Sequence, residues 1–200
     1  MATTTLPGFK APVHQAQQTF RALLAAIAQP GECHAPNVSI CAPQGLTPLC
    51  AAACLTLFDL ETTVWLQPSC SSDGLTSVQD WLQFHTGCRF SDQPQAATFA
   101  VIADLPSAPE LKDFNWGSAE DPEQSTTLLI QVPDLTTGSI HLLSGPGILA
   151  SVAFAPAVPP SFWQQWRANH SAYPQGVDCF FFSPERLVGL PRTVQLLEAQ

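Results

Sequence analysis
Apolar residues at Val13, Ala16, Phe20, Leu23, Leu24 and Ile27 recur with the 3.6-residue period of an α-helix. Gln29-Pro30-Gly31 closes that run with a breaker and a permissive turn residue, so the first predicted element is an amphipathic helix. A second helix is predicted over Thr47 to Phe58, with Pro48 tolerated in its first turn. Thr63 to Leu66 reads as a short buried strand. A third helix fits Gly74 to His85, where Leu75, Val78, Trp81, Leu82 and Phe84 supply the apolar side.

Beyond that point the pattern changes. Thr98 to Ala103, Thr126 to Val132, Ser139 to Leu143, Val152 to Phe154, Val177 to Phe182 and Thr193 to Leu197 are short and rich in β-branched or aromatic residues, as strands are. Between two of them, Phe162, Trp163 and Trp166 lie at helical spacing within Ser161 to Asn169, after the entry Pro159-Pro160. Leu105 to Gln124, with Pro106, Pro109, Asn115, Gly117 and Pro122, is expected to be an exposed excursion holding a short helix at Ala108 to Phe114. Helices on an interrupted, partly antiparallel sheet predict an α/β fold: a single layered domain with a mixed β-sheet flanked by helices. Residues 1–12 read as an N-terminal tail and 13–200 as the domain, with no repeat and no linker long enough to divide it.

At 200 residues the chain is long enough to bury a real core. Charged residues are 12% of it, about half the share usual in soluble proteins, so much of the surface must be uncharged. Either the core is unusually large, or a weakly charged face is covered by another subunit; the second is preferred. Lys and Arg number 7 against 16 Asp and Glu, a net charge of −9 whose field repels nucleic acid and anionic membranes. A polyanionic ligand would need a local positive pocket. Met1 to Pro7 lacks a basic region followed by an apolar run, so no export signal is expected, and the apolar stretch Leu49 to Phe58 is half of what a bilayer requires.

The 7 cysteines form an odd set without C-x-x-C spacing, read as reduced thiols in the cytoplasm. Cys50 and Cys54, four residues apart on a predicted helix, could share a face and hold the edge of a metal site. No nearby His or Cys completes a tetrahedral set, so they are read as packing residues and no metal is assigned.

Arg192 follows Pro191, whose fixed φ stiffens the approach to the last strand. Its guanidinium fork suits phosphonate or triphosphate oxygens, or else an ion pair anchoring the strand to Glu185 or Asp178. Arg21, beside the apolar face of the first helix, either snorkels to water or reaches a partner. His85-Thr86-Gly87 ends the third helix with a titratable ring and a residue free to turn left-handed; His85 either caps the helix or meets a ligand. Gly145-Pro146-Gly147-Ile148 follows a strand, as an anion-binding backbone nest or a tight turn, and lacks the Walker pattern. Asp59 and Glu61 read as turn and cap groups rather than an acid-base pair. Trp163 and Trp166 belong to the core or a subunit interface.

Several of these segments carry a resemblance through their order and spacing. They are Phe20-Arg21-Ala22-Leu23-Leu24 with Pro30-Gly31, Leu57 to Leu66, Phe84-His85-Thr86-Gly87-Cys88, Ala97-Thr98-Phe99-Ala100, Leu143 to Ile148, Pro174-Gln175-Gly176-Val177-Asp178 and Gly189-Leu190-Pro191-Arg192-Thr193. From about Val13 to Val194 the chain resembles PhnH, the H subunit of the bacterial carbon-phosphorus lyase system. The family usually has a proline where this chain has Arg89, which puts that loop in question and adds a positive charge.

The resemblance implies a subunit of the core assembly with the G, I and J proteins. That system, with L, couples an alkylphosphonate to the ribose of ATP, releasing adenine and forming α-D-ribose 1-phosphonate 5-triphosphate. It implies an accessory role with no catalytic residue, and a phosphonate or ATP held at a subunit interface by Arg21, His85, Arg192, Gly145 and Gly147. A homodimer in isolation is expected. The family fold is similar to that of pyridoxal-phosphate-dependent transferases. A Schiff base would need a lysine, and with only Lys10 and Lys112 present no cofactor is expected. The alternative from another class is a stand-alone dimeric module that binds a small anion.

Overall fold
The computed structural model describes residues 6–70 and 77–197. Its main sheet comprises β1 (Thr63–Leu66), β2 (Arg89–Phe90), β3 (Phe99–Ile102), β4 (Thr127–Gln131), β7 (Asp178–Phe182) and β8 (Leu187–Leu190), ordered β2-β1-β3-β4-β7-β8. All neighbours are parallel except β8, which returns antiparallel along β7 with Cys179 opposite Leu190. A second, antiparallel sheet is formed by β5 (His141–Ser144), β6 (Val152–Phe154) and β9 (Gln195–Leu196), ordered β6-β5-β9. Four helices complete the layers: α1 (Pro12–Ala28), α2 (Pro48–Leu57), α3 (Val78–Thr86) and α4 (Pro160–Ser171).

The central strands are apolar on both faces because both are covered. Val101, Leu129, Phe180 and Phe182 pack against α1, α2 and α3 with Leu23, Cys50, Cys54, Trp81 and Leu82. Ala100, Ile102, Leu128, Ile130 and Phe181 face the other way, toward α4 and the small sheet, where Trp163 and Trp166 are buried. The tryptophan pair is therefore core. Burying each such large side chain stabilises the fold by roughly 2–3 kcal/mol. The edges are blunted: β2 is two residues long and carries Arg89, while His34 bridges to Leu187 along β8.

Local chemistry sets the helix ends. The Thr47 and Ser77 side chains accept from the backbone N–H of Cys50 and Asp80, capping α2 and α3. Gly87, at φ 72°, ends α3 in the left-handed conformation expected of it. The third helix as read from sequence began at Gly74; residues 74–76 lie outside the described part, and the described helix runs one residue past His85.

Five expectations are corrected. Val13, Phe20 and Leu24, assigned to the core face of the first helix, point outward, and so does Phe84 on α3. Residues 105–124 are no exposed excursion, since Leu111 and Phe114 are buried in the core, and in place of a helix over 108–114 there is a single 3-10 turn at Leu111–Asp113. The strand expected at Ser139 starts at His141, and the one expected from Thr193 to Leu197 contracts to β9. β2 and β8 were not foreseen.

Candidate functional site
Asp178 opens β7, and Arg192 stands just beyond the end of β8, so the antiparallel return brings them together. Asp178 Oδ1 accepts from the Arg192 backbone N–H at 2.7 Å, and its carboxylate meets the guanidinium at Nε (3.2 Å) and Nη2 (2.5 Å). Nη1 donates to the carbonyls of Pro122 (2.9 Å) and Pro174 (3.3 Å), and Nη2 also to the Ser125 hydroxyl. Every N–H of the guanidinium thus has an acceptor within the chain. His170 Nδ1 lies 2.9 Å from the Arg192 carbonyl, which can only accept, so that nitrogen carries the proton. Of the two arrangements open from sequence, the ion pair with Asp178 is the one present.

This cluster floors a cavity of about 380 Å³ walled by Ile27, Thr127, Tyr173, Phe180, Pro191 and Thr193 and rimmed by Glu123. The turn holding Gly145 and Gly147 closes nearby. A Cβ on Gly147 would lie 2.1 Å from the Ala28 carbonyl oxygen, and one on Gly145 would lie 3.0 Å from that of Thr193. The glycines therefore let the turn pack against the end of α1 and the Arg192 segment. Gly176 and Asn169 fix the remaining wall: the Asn169 side chain exchanges hydrogen bonds with the Val177 backbone at 2.8 and 3.0 Å.

The five sequence candidates divide. Arg192, Gly145 and Gly147 converge around the C-terminal end of α1. Arg21 lies on α1 itself, six residues before Ile27 and so about 9 Å along the axis; it is exposed and has no hydrogen-bond or ion-pair partner among the described residues. His85 is elsewhere, on α3 near the β2 edge, where its Nε2 lies 3.0 Å from the Leu6 carbonyl and Trp81 Nε1 donates to the same oxygen at 3.0 Å. His85 thereby pins the tail segment around Leu6. Arg89 donates from Nε and Nη2 to the Leu60 carbonyl. Asp59 accepts from the Thr62 hydroxyl and from the Glu61 and Thr62 backbone, the turn role read for it, and these bonds, the hydroxyl's first, hold its carboxyl below the usual range.

Sequence reasoning missed Tyr173, Glu123 and Ser125. Tyr173 had a signal, being the chain's single tyrosine immediately before the Pro174 to Asp178 segment; the other two had none. The cavity offers carboxylates and hydroxyls and no activated nucleophile. Cys179, beside Asp178, is pushed well up by burial and then by the Asp178 charge, so its thiol stays protonated. Among the described residues no cluster of His, Cys, Asp or Glu could hold a metal ion, and no helix is long and apolar enough to cross a membrane.

A family model described as bacterial phosphonate metabolism protein (PhnH) matches residues 7–197. The chain is 34% identical over 189 residues to subunit PhnH of alpha-D-ribose 1-methylphosphonate 5-triphosphate synthase from Rhizobium meliloti (strain 1021), covering 94% of this chain and 93% of that protein. It is 29% identical over 185 residues to a candidate C-P lyase subunit, HtxG, of Stutzerimonas stutzeri, covering 90% and 85%.

Proposed function
The chain belongs to the PhnH family of bacterial phosphonate metabolism proteins, and on that premise we propose that it is an accessory subunit of a carbon-phosphorus lyase assembly. In that role it supports formation of α-D-ribose 1-methylphosphonate 5-triphosphate from ATP and methylphosphonate, in company with G, I and J subunits and with L. The observation that carries this reading is the match over 94% of the chain and 93% of a synthase subunit.

The site agrees with an accessory role. Arg21 is the candidate cation free to meet an anionic ligand at a subunit interface, while Arg192, Gly145 and Gly147 shape the wall near it and His85 holds the tail. Residues 13–200 act as one unit after a tail of 1–12. The architecture is taken as that of a pyridoxal-phosphate-dependent transferase put to use without the cofactor. Lys10 is exposed in the tail, and Lys112 is paired with Glu110 at 2.6 Å, so neither stands in the cavity. The working compartment is the cytoplasm, and the isolated chain is a homodimer.

The test is reconstitution of the synthase from its separate subunits with ATP and methylphosphonate, following adenine release. Omitting this chain abolishes release under the present reading. Unchanged release without it, together with tight binding of methylphosphonate by the chain alone in calorimetry, would instead make it a stand-alone anion-binding module.

A further inference from the structure
Helix α1 has two faces that the fold treats differently. Thr19, Leu23 and Ala26 are buried against the rest of the molecule, whereas Val13, Phe20 and Leu24 stand 88, 51 and 59% exposed. Steps of seven, four and three residues join Val13, Phe20, Leu24 and Ile27, which sets them on one stripe of the helix. Ile27 is also a wall of the 380 Å³ cavity, so the stripe runs into it, and Tyr173, itself exposed, lines the same cavity. A row of large apolar side chains leading into a largely apolar cavity is more contiguous apolar surface than a chain working alone usually shows.

The unpaired side-chain charges at the cavity end of this groove are acidic, while Arg21 on α1 is a cation set back about 9 Å along the helix from Ile27. Glu120, Asp121 and Glu123 are exposed, and their carboxylates have no cationic partner among the described residues. Arg192, the cation in the cavity wall, has no donor left to neutralise them.

We propose that this stripe and cavity form the docking groove for an amphipathic, basic segment of another subunit of the same assembly. Its apolar side chains lie on Phe20 and Leu24, one anchor fills the cavity, and its Lys or Arg residues meet Glu123 and its neighbours. The proposal rests on the subunit reading above and deepens it by naming the face and the chemistry of the partner. Charge selects the occupant: a second copy brings a net −9 to a rim that is already acidic, whereas a basic segment is drawn to it.

The experiment is co-expression of the tagged chain with the remaining subunits, followed by subunit composition after purification. It compares the unaltered chain with Leu24→Glu, Glu123→Arg and, on the exposed outer face of β5, the control Leu142→Glu. Melting temperatures are taken first; Leu24, Glu123 and Leu142 are exposed, so all variants should fold. Leu24→Glu is expected to lower recovered partner by at least about tenfold and Glu123→Arg by several-fold, with Leu142→Glu unchanged. Full recovery with both groove variants overturns the groove and leaves the subunit reading standing. Loss with Leu142→Glu alone also overturns it, moving the interface to the small sheet. If Leu24→Glu keeps its partners but turns an isolated dimer into a monomer, the face is a self-interface and the proposal fails. No co-purification even of the unaltered chain defeats the subunit reading itself.

Discussion
All the guanidinium donors of Arg192 are taken up by Asp178, Ser125 and two proline carbonyls, so deleting it removes an anchor as much as a charge. Arg192→Ala leaves the half-buried Asp178 carboxylate without its cation and should cost about 3 kcal/mol in urea unfolding. Arg192→Lys should recover only part of that, because an ammonium has no planar fork. An unchanged unfolding midpoint in Arg192→Ala would sink the anchoring account and return Arg192 to the ligand. A second residue-scale prediction concerns His141, whose ring packs 4.3 Å from that of Trp163. Burial first, and the nearby Arg167 charge second, lower its pKa from 6.5. The unfolded chain therefore takes up this proton at higher pH than the folded one. Its contribution is fully present above pH 6.5 and is lost as pH falls through that value to the folded pKa. Melting temperatures from pH 8 to 5 should drop more steeply for the unaltered chain than for His141→Gln; parallel curves would exclude the effect.

At the scale of elements, α1 and β8 explain each other. The Ala26 carbonyl oxygen lies 2.5 Å from where a Cβ on Gly189 would sit, so the helix rests on bare strand backbone. Gly189→Ala forces the two apart and should cost about 2 kcal/mol, read from the urea midpoint; a neutral result would mean the helix does not lie so close. This packing is also why β8 escaped sequence reading: Leu187-Val188-Gly189-Leu190 is short, and a glycine in a strand weakens its pattern. Periodicity found α1, α3 and α4 because it needs only local spacing, whereas α2, buried from Leu49 to Cys54, was read as an apolar run entered at Pro48. Periodicity misjudged which way α1 faces, since a helix with apolar residues on more than one side does not say which side the sheet takes. Residues 105–124 were misread for the opposite reason: prolines and glycines signal turns, while the burial of Leu111 and Phe114 depends on α4, far along the chain. Asp178 was legible only as one of two carboxylates, with Glu185, open to Arg192, and the antiparallel return of β8 on β7 decides between them; Ser125 and Glu123 join them through tertiary structure alone.

For the molecule as a whole, the cysteines report whether the layers are packed as described. Cys50, Cys54, Cys70 and Cys88 all lie in the core between the sheet and α1, α2 and α3, and Cys179 lies in the core on the opposite face. Cys33 and Cys41 are exposed on the segment that leads from α1 to α2. Burial raises the thiol of Cys54 well above its usual value and pushes Cys70 up to about 12, so these two are both shielded and protonated at neutral pH. Reading Cys50 and Cys54 as packing residues agrees with this, although no local spacing foretells that Cys70 and Cys88 join them from other elements. At pH 8 a thiol-specific chromogenic reagent should titrate the two exposed cysteines, Cys33 and Cys41, quickly in the native protein. The five buried ones should react only after denaturant is added. Fast labelling of a third thiol would mean that one of the two covering layers opens in solution, and mapping the labelled residue would say which: Cys179 for the α4 side, any of the other four for the side that α1 covers.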